Sequence, residues 1–392
     1  MPLTSKRTGT DLRAALLPPE LLPLFDDQFV GSWDLFQEYV ARLACTILRT
    51  TGLDRAFEQE AALSDAIAHA GLNAQVASVP ARWVVETMAA RGWMAKVAAE
   101  GDGTRYRLPA PFSAFDPAEV EAAQERHDAS CLPSYTIAAL AAEQYPAVLR
   151  GDTTGEQALF GPEGISAWVK YFSNANPLYA ISNRVGAIAV EQNLAGAGAI
   201  LELGGGLGSG AQALFERLQQ SGRKLSRYRF TELSALFMKR AERVLSRWRS
   251  EFGVDFTHLD IDRPFTEAGV KPGEHTLVYA VNVLHVARDL AGTLHGIRTA
   301  LAPGGALVIS ECVRAFPGVP LAVELPFNLL KSFREPLLVP AWRPNGGFLT
   351  LEQWMLALEA SGFTDVRAFP DIAALREDYP SFAVAAIVAR RP

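Results

Sequence analysis

Cysteine is scarce. The chain has three in 392 residues, Cys45, Cys131 and Cys312, far apart and without a CxxC pair, so a disulfide framework and a thiolate zinc site are excluded and a reducing cytosol is the expected setting. Long apolar runs are missing as well. No window approaches the ~18 to 20 apolar residues of a membrane span, and MPLTSKRTGTDLRAALLPPE at the N-terminus lacks the apolar core of a signal peptide, so a soluble, cytoplasmic protein with no membrane partner is expected. Positive charge is not in excess: 37 Lys and Arg stand against 43 Asp and Glu, a net charge of −6, which leaves no basic field for a nucleic-acid partner. His, Asp and Glu nowhere take metal-ligand spacing, so no metal is expected. A nucleophile elbow, internal repeats and low-complexity tracts are also lacking.

What is present changes texture along the chain. Residues 1–30 are Pro-rich; from Trp33 apolar residues recur at helical spacing through WDLFQEYVARLACTILRTTGL, and SDAIAHAGL and VPARWVVETMAARGWM read as two further helices, the last with Pro80 near its first turn. MAKVAAEGDGTRYRLP then reads as two strands joined by Gly101-Asp102-Gly103. Helix, helix, helix, hairpin is the plan of a winged helix, placed here over 1–110. These residues carry 11 Lys and Arg against 13 Asp and Glu, which favours dimerisation and a pocket wall over a DNA-binding regulator. The apolar surface of the helix from Trp33 predicts a homodimer. Residues 111–190 read as a helical connector and lid.

From about 191 onward strands and helices alternate: AGAILELG, SRYRFTEL, VDFTHLDI, HTLVYAVNVL, GALVISEC, TDVRAFPD and FAVAAIVARR are seven strands, most separated by helices. The expected fold is therefore α/β, a Rossmann-like parallel sheet ending in an antiparallel pair, over 191–392. LELGGGLGSG at 201–210 sets a glycine turn between the first of these strands and a helix, where backbone approaches a ligand and the helix N-terminus attracts negative charge. GLGSGA also satisfies the dinucleotide pattern, but Glu202 just before the glycines suits a cationic ligand better than a pyrophosphate. Glu202, Gly204, Gly206 and Gly208 resemble the E-x-G-x-G arrangement of class I methyltransferases. That resemblance implies S-adenosylmethionine as cofactor, with Glu232, next to Leu233, accepting both ribose hydroxyls and Asp260, next to Ile261 after the third strand, receiving the adenine amino group; Asp262 stands as an alternative to Asp260. A carboxylate offers only acceptors, which suits hydroxyl and amino donors.

The run YAVNVLHVARDL ends an apolar strand with Asn282 and His285 at its carboxyl end, where open α/β sheets bind ligands. NVLH, ARDLAGTL and LAPGGALVISE resemble the C-methyltransferase domains of polyketide synthases, and the likeness runs over about 146–391, whereas the front of the chain resembles small-molecule O-methyltransferases. The likeness implies His285 as catalytic base, Glu311 as its carboxylate partner, and Asn282 beside the cofactor. It also implies a small-molecule, natural-product substrate, polyketide-like or aromatic and free or carrier-bound, with carbon favoured as methyl acceptor and oxygen or nitrogen as alternatives. A cyclase that keeps the cofactor without transferring methyl is a further alternative. GGGLGSG replaces the usual GAGTGG, and with no carrier or condensing segment around it the chain is expected to be freestanding. Tyr171, Asn183, Phe316, Phe327, Phe333 and Trp342 are candidates to line the substrate pocket.

Overall fold

The structure, a computed structural model, describes residues 13–98, 103–109, 112, 115–377, 379 and 382–392. It divides into two compact units. One comprises Asp27–Tyr171 and Gly318–Arg334; the other comprises 13–26, Phe172–Pro317 and Glu335–Pro392. The helical stretch 111–190 is thus shared between them.

The first unit is built on the helix Asp27–Thr50, whose apolar stripe, Trp33, Phe36, Tyr39, Val40, Leu43, Ile47 and Leu48, is buried. It packs against helices Ala74–Ala90, Ala118–Asp128 and Leu132–Arg150 of the same unit. The expectation of a homodimer rested on this stripe being more than its domain could cover; the unit covers it, and that reason for a dimer lapses. Strands β1 (Ala61–Ala62), β2 (Ala95–Ala98) and β3 (Thr104–Arg107) form an antiparallel sheet in the order β1-β3-β2. The turn expected at Gly101-Asp102-Gly103 lies mostly outside the described residues. Pro80 is not in a first turn. The helix begins at Ala74, capped by the Asn73 side chain, so Pro80 falls inside it and leaves the Val76 carbonyl without its i+4 donor; the Arg334 guanidinium takes that carbonyl at 3.1 Å.

The second unit holds a seven-stranded sheet: β4 (Ala199–Leu203), β5 (Arg227–Glu232), β6 (Val254–His258), β7 (His275–Val281), β8 (Leu301–Cys312), β9 (Thr364–Phe369) and β10 (Val384–Arg390). Their order is β6-β5-β4-β7-β8-β10-β9, parallel from β6 to β8, with β10 antiparallel to both its neighbours. The expected antiparallel end is therefore β9–β10, with β10 inserted between β8 and β9. Near-continuous apolar strands such as β8 and β10 are buried on both faces, as a sheet covered by helices requires. Leu201, Leu203, Val278, Ile309 and Ile387 join Leu294, Ile297, Trp354 and Leu358 of the covering helices in one core. The strand order reverses between β4 and β7. Their carboxyl ends flank the crevice where such sheets take ligands.

Candidate functional site

The crevice is framed by the glycine turn. Gly204 and Gly206 have φ of +56° and +57°, a conformation that L side chains rarely adopt. A Cβ at Gly204 would sit 2.3 Å from Val283, whereas one at Gly206 would meet nothing within 4 Å. Gly204 thus lets the chain after β7 close onto the turn, and Gly206 presents open backbone. Gly208, at +88°, precedes the helix Ser209–Gln220 and, having no side chain, does not cap it. The Ser209 hydroxyl donates to the Phe172 carbonyl, and Asn174 donates to the Ser209 carbonyl at 2.9 Å.

Acidic side chains stand around this turn. Glu232, at the end of β5, is 8% exposed; its Oε2 accepts from the Gly206 N–H at 2.9 Å and its Oε1 from the Ser234 N–H at 2.8 Å. Leu233 beside it is 55% exposed, unusual for a side chain of its size. Glu202 is almost wholly buried under the glycines, and its Oε2 has no hydrogen-bond partner. Burial pushes its carboxyl up to about 8 and Glu232 adds to the rise, while the nearby Tyr228 hydroxyl and the Ala211 N–H work against it. Asp260, half-buried after β6, accepts from the Asp262 N–H at 3.0 Å. The exposed Asp262 is engaged elsewhere, accepting from the Asp289 N–H at 3.1 Å. Ile261 packs on the core, and its carbonyl accepts from Thr293 at 2.9 Å.

The histidine does not lie on a strand. β7 stops at Val281, Asn282 takes φ +47°, and residues 284–286 form a single 3₁₀ turn. The cause is local: the Asn282 N–H still donates to the Ser310 carbonyl of β8 at 2.8 Å, and its side-chain carbonyl accepts from the Cys312 N–H at 3.0 Å, taking the next ladder position. Asn282 therefore acts as the pivot of the turn. His285, 3% exposed, shares its Nδ1 proton with Glu311 Oε2 at 2.7 Å. Glu311 is fully buried near the end of β8, and its Oε1 accepts from the N–H groups of Val283 at 3.1 Å and Leu284 at 2.9 Å, with His285 N at 3.4 Å. The carboxylate holds ring and turn together. It also selects the tautomer, because an ionised carboxylate accepts and Nδ1 must then donate. The Phe348 ring lies 4.1 Å from the imidazole, centre to centre.

Residues 201–307 match the methyltransferase domain family. The matched stretch runs from β4 into β8 and is, by that match, a methyltransferase domain. Over 388 residues the chain is 27% identical to the polyketide synthase ThaQ of Burkholderia thailandensis, covering 93% of this chain and 17% of that protein. The highly reducing polyketide synthase FUM1 of Gibberella moniliformis is 28% identical over 251 residues, 62% of this chain and 9% of that protein. The chain spans less than a fifth of the length of either relative. Among solved structures, the CurJ carbon methyltransferase superposes with a TM-score of 0.77 at 21% identity, covering 97% of each chain. The trans-methyltransferase CalH, solved with SAH, gives 0.59 at 21% identity, covering 100% of this chain and 98% of its own.

The donor set of the methyltransferase crevice fits S-adenosylmethionine. Glu202 brings a buried carboxylate oxygen without a partner, Gly206 an open backbone cradle, and Glu232 spare lone pairs beside it. Among the described residues no group of His, Cys, Asp and Glu could hold a metal ion, and no helix is long and apolar enough to cross a membrane.

The substrate-lining candidates separate. Asn183 is fully buried in the helix Pro177–Asn193, donates to Asn174 at 2.8 Å, and has no donor to its own Oδ1. Trp342 is a core residue of the same unit. Phe316 is 38% exposed, with the Arg376 guanidinium 5.1 Å from its ring centre. Tyr171, Phe327 and Phe333 belong to the other unit, where Trp168 contacts Tyr171 edge-on at 5.4 Å and Phe327 stacked at 5.7 Å, and Phe327 lies 6.1 Å from Phe333. Sequence reasoning missed Arg343, Phe348 and Asn174. None of them stands in a spaced motif.

Proposed function

We propose that the protein transfers a methyl group from S-adenosylmethionine to an acidic carbon of a polyketide-like thioester, the carbon between two carbonyls, with His285 as general base. The observation that carries this reading is the 2.7 Å bond between His285 Nδ1 and Glu311, with Glu311 also fixed by the backbone of the turn. A buried imidazole backed by a carboxylate in this way is a base of fixed tautomer whose charged form is stabilised once it takes a proton.

Bound S-adenosylmethionine supplies an electrophilic methyl on a sulfonium. Glu202, Glu232, Leu233, Asp260, Ile261 and the 204–208 backbone are the residues that would hold it. Nε2 of His285 takes the proton from the substrate carbon, and the electron pair left behind makes that carbon the nucleophile. Glu311 remains ionised and accepts the Nδ1–H bond throughout, so the imidazolium is paired while it exists. Carbon is favoured over oxygen because an acidic C–H needs a base to become nucleophilic, while an ionised phenol does not. The likeness to the polyketide synthase ThaQ and to the CurJ carbon methyltransferase supports the same choice.

The test is product analysis. The chain is incubated with S-adenosylmethionine and the N-acetylcysteamine thioester of a 3-oxoacid, a soluble stand-in for a carrier-bound chain. A product heavier by one methyl, with the new methyl on the carbon between the carbonyls by NMR, supports the reading. Methyl on oxygen would replace it with an O-methyltransferase.

A further inference from the structure

Glu311 holds the N–H side of the turn that carries His285. A second buried charge holds its carbonyl side. Arg343 is 0% exposed, and its guanidinium donates from Nη2 to the His285 carbonyl and from Nη1 to the Ala287 carbonyl, both at 2.7 Å. Arg343 sits at the end of a tight turn, where its own N–H and carbonyl pair with those of Val339 at 2.7 and 3.0 Å. Leu337, just before that turn, donates to the Arg288 carbonyl at 2.7 Å, and Phe348, just after it, lies against the imidazole. The segment from Leu337 to Phe348 therefore grips the base-bearing turn through three carbonyls and the ring.

Burying a guanidinium costs several kcal/mol, and an apolar side chain would fill the same volume without that cost. Burial draws this group down to about 10, against the pull of Asp262, Asp289 and Glu311, so it stays charged at neutral pH. What only a guanidinium provides is a rigid fork matching two carbonyls two residues apart. The placement also has the right sense, since peptide dipoles favour an anion at the N–H end of a turn and a cation at its carbonyl end. We propose that Arg343 is a positioning residue: with Glu311 at the opposite end, it locks the 283–287 turn so that the imidazole keeps its bond to Glu311 while Nε2 meets the substrate. This rests on the reading of His285 as the base.

The experiment uses the full chain labelled with ¹⁵N-histidine, bound to S-adenosylhomocysteine. The proton on Nδ1 that is shared with Glu311 gives a far-downfield resonance, identified by its loss in His285→Gln. Arg343→Met, similar in volume but without donors, is expected to lose that resonance to exchange, and Arg343→Lys to keep a weakened one. With the 3-oxoacyl N-acetylcysteamine thioester, Arg343→Met is expected to lower kcat ~10- to 100-fold while KM for the methyl donor stays unchanged. Arg343→Lys should fall between. If Arg343→Met keeps the resonance and the full kcat, the proposal is overturned; if it does not fold, Arg343→Lys decides, and wild-type values for both readouts overturn it. Failure of the base reading looks different: His285→Ala would turn over the probe at nearly the full rate while Arg343→Met still lost the resonance.

Discussion

Glu311 and His285 are 26 residues apart in sequence and 2.7 Å apart in space, and the carboxylate that meets the ring also takes the backbone N–H groups of Val283 and Leu284. Glu311 is thus an anchor of the turn as well as the partner of the imidazole. Glu311→Ala leaves buried N–H groups unpaired and should cost about 3 kcal/mol or more of stability. Glu311→Gln keeps one acceptor and should cost less, with a smaller loss of turnover. Urea denaturation followed by circular dichroism checks the difference; equal stability of Glu311→Ala and the parent would contradict the anchoring role.

The glycine turn yields a second expectation. Alanine at Gly206 meets no neighbouring atom, so Gly206→Ala should fold with a penalty of about 1 to 2 kcal/mol for its left-handed backbone and lose affinity chiefly through the lost cradle. Alanine at Gly204 runs into Val283, so Gly204→Ala should displace the turn that carries His285 and lower turnover along with affinity. Calorimetry with S-adenosylhomocysteine, paired with the methyl-transfer assay, separates the two. Identical profiles for both variants would mean that Val283 is not the link between cradle and base.

The architecture was largely legible in the sequence because its signals are local. Alternating apolar strands and amphipathic helices gave the parallel sheet, and LELGGGLGSG gave the turn between β4 and its helix. Where tertiary contacts decide, sequence reading stopped short. The strand ending at Val281 rather than Leu284 follows from the Asn282 side-chain oxygen accepting from the Cys312 N–H, a pairing invisible in the run YAVNVLH. Pro80 sits inside a helix because Arg334, some 250 residues away, takes the carbonyl it strands. Arg343 carried no signal for the same reason: a lone arginine in AWRPNGG shows neither its burial nor its two carbonyls. Asp260 and Asp262 were indistinguishable by spacing, and only the structure assigns Asp262 to the Asp289 N–H.

With Glu202 in the proposed donor site, binding of the methyl donor is expected to depend on pH. Its carboxyl is raised from 4.5 to about 8, so in the free protein it is mostly protonated at pH 7 and must lose that proton to face a cationic ligand. Affinity for S-adenosylmethionine should therefore rise with pH, by up to about tenfold per unit below 8, and level off above it. The linkage to stability has the opposite sense. A carboxyl whose folded pKa is raised favours the folded state below its unfolded value, so the unliganded protein should lose stability as pH climbs from about 4.5 through 8. Glu202→Gln should flatten both trends. Calorimetry across this range checks them, and an affinity independent of pH in the parent protein would refute the assignment.

The most direct test of the central claim isolates the proton step from methyl transfer. The protein is saturated with S-adenosylhomocysteine, given the 3-oxoacyl N-acetylcysteamine thioester deuterated between its carbonyls, and followed by NMR as that deuterium washes out above the buffer rate. With His285 as the base, the parent protein should accelerate exchange, and His285→Ala should be slower by ~100-fold or more while binding S-adenosylhomocysteine equally well. Exchange as fast in His285→Ala as in the parent would contradict the account and leave His285 as a structural residue of the turn.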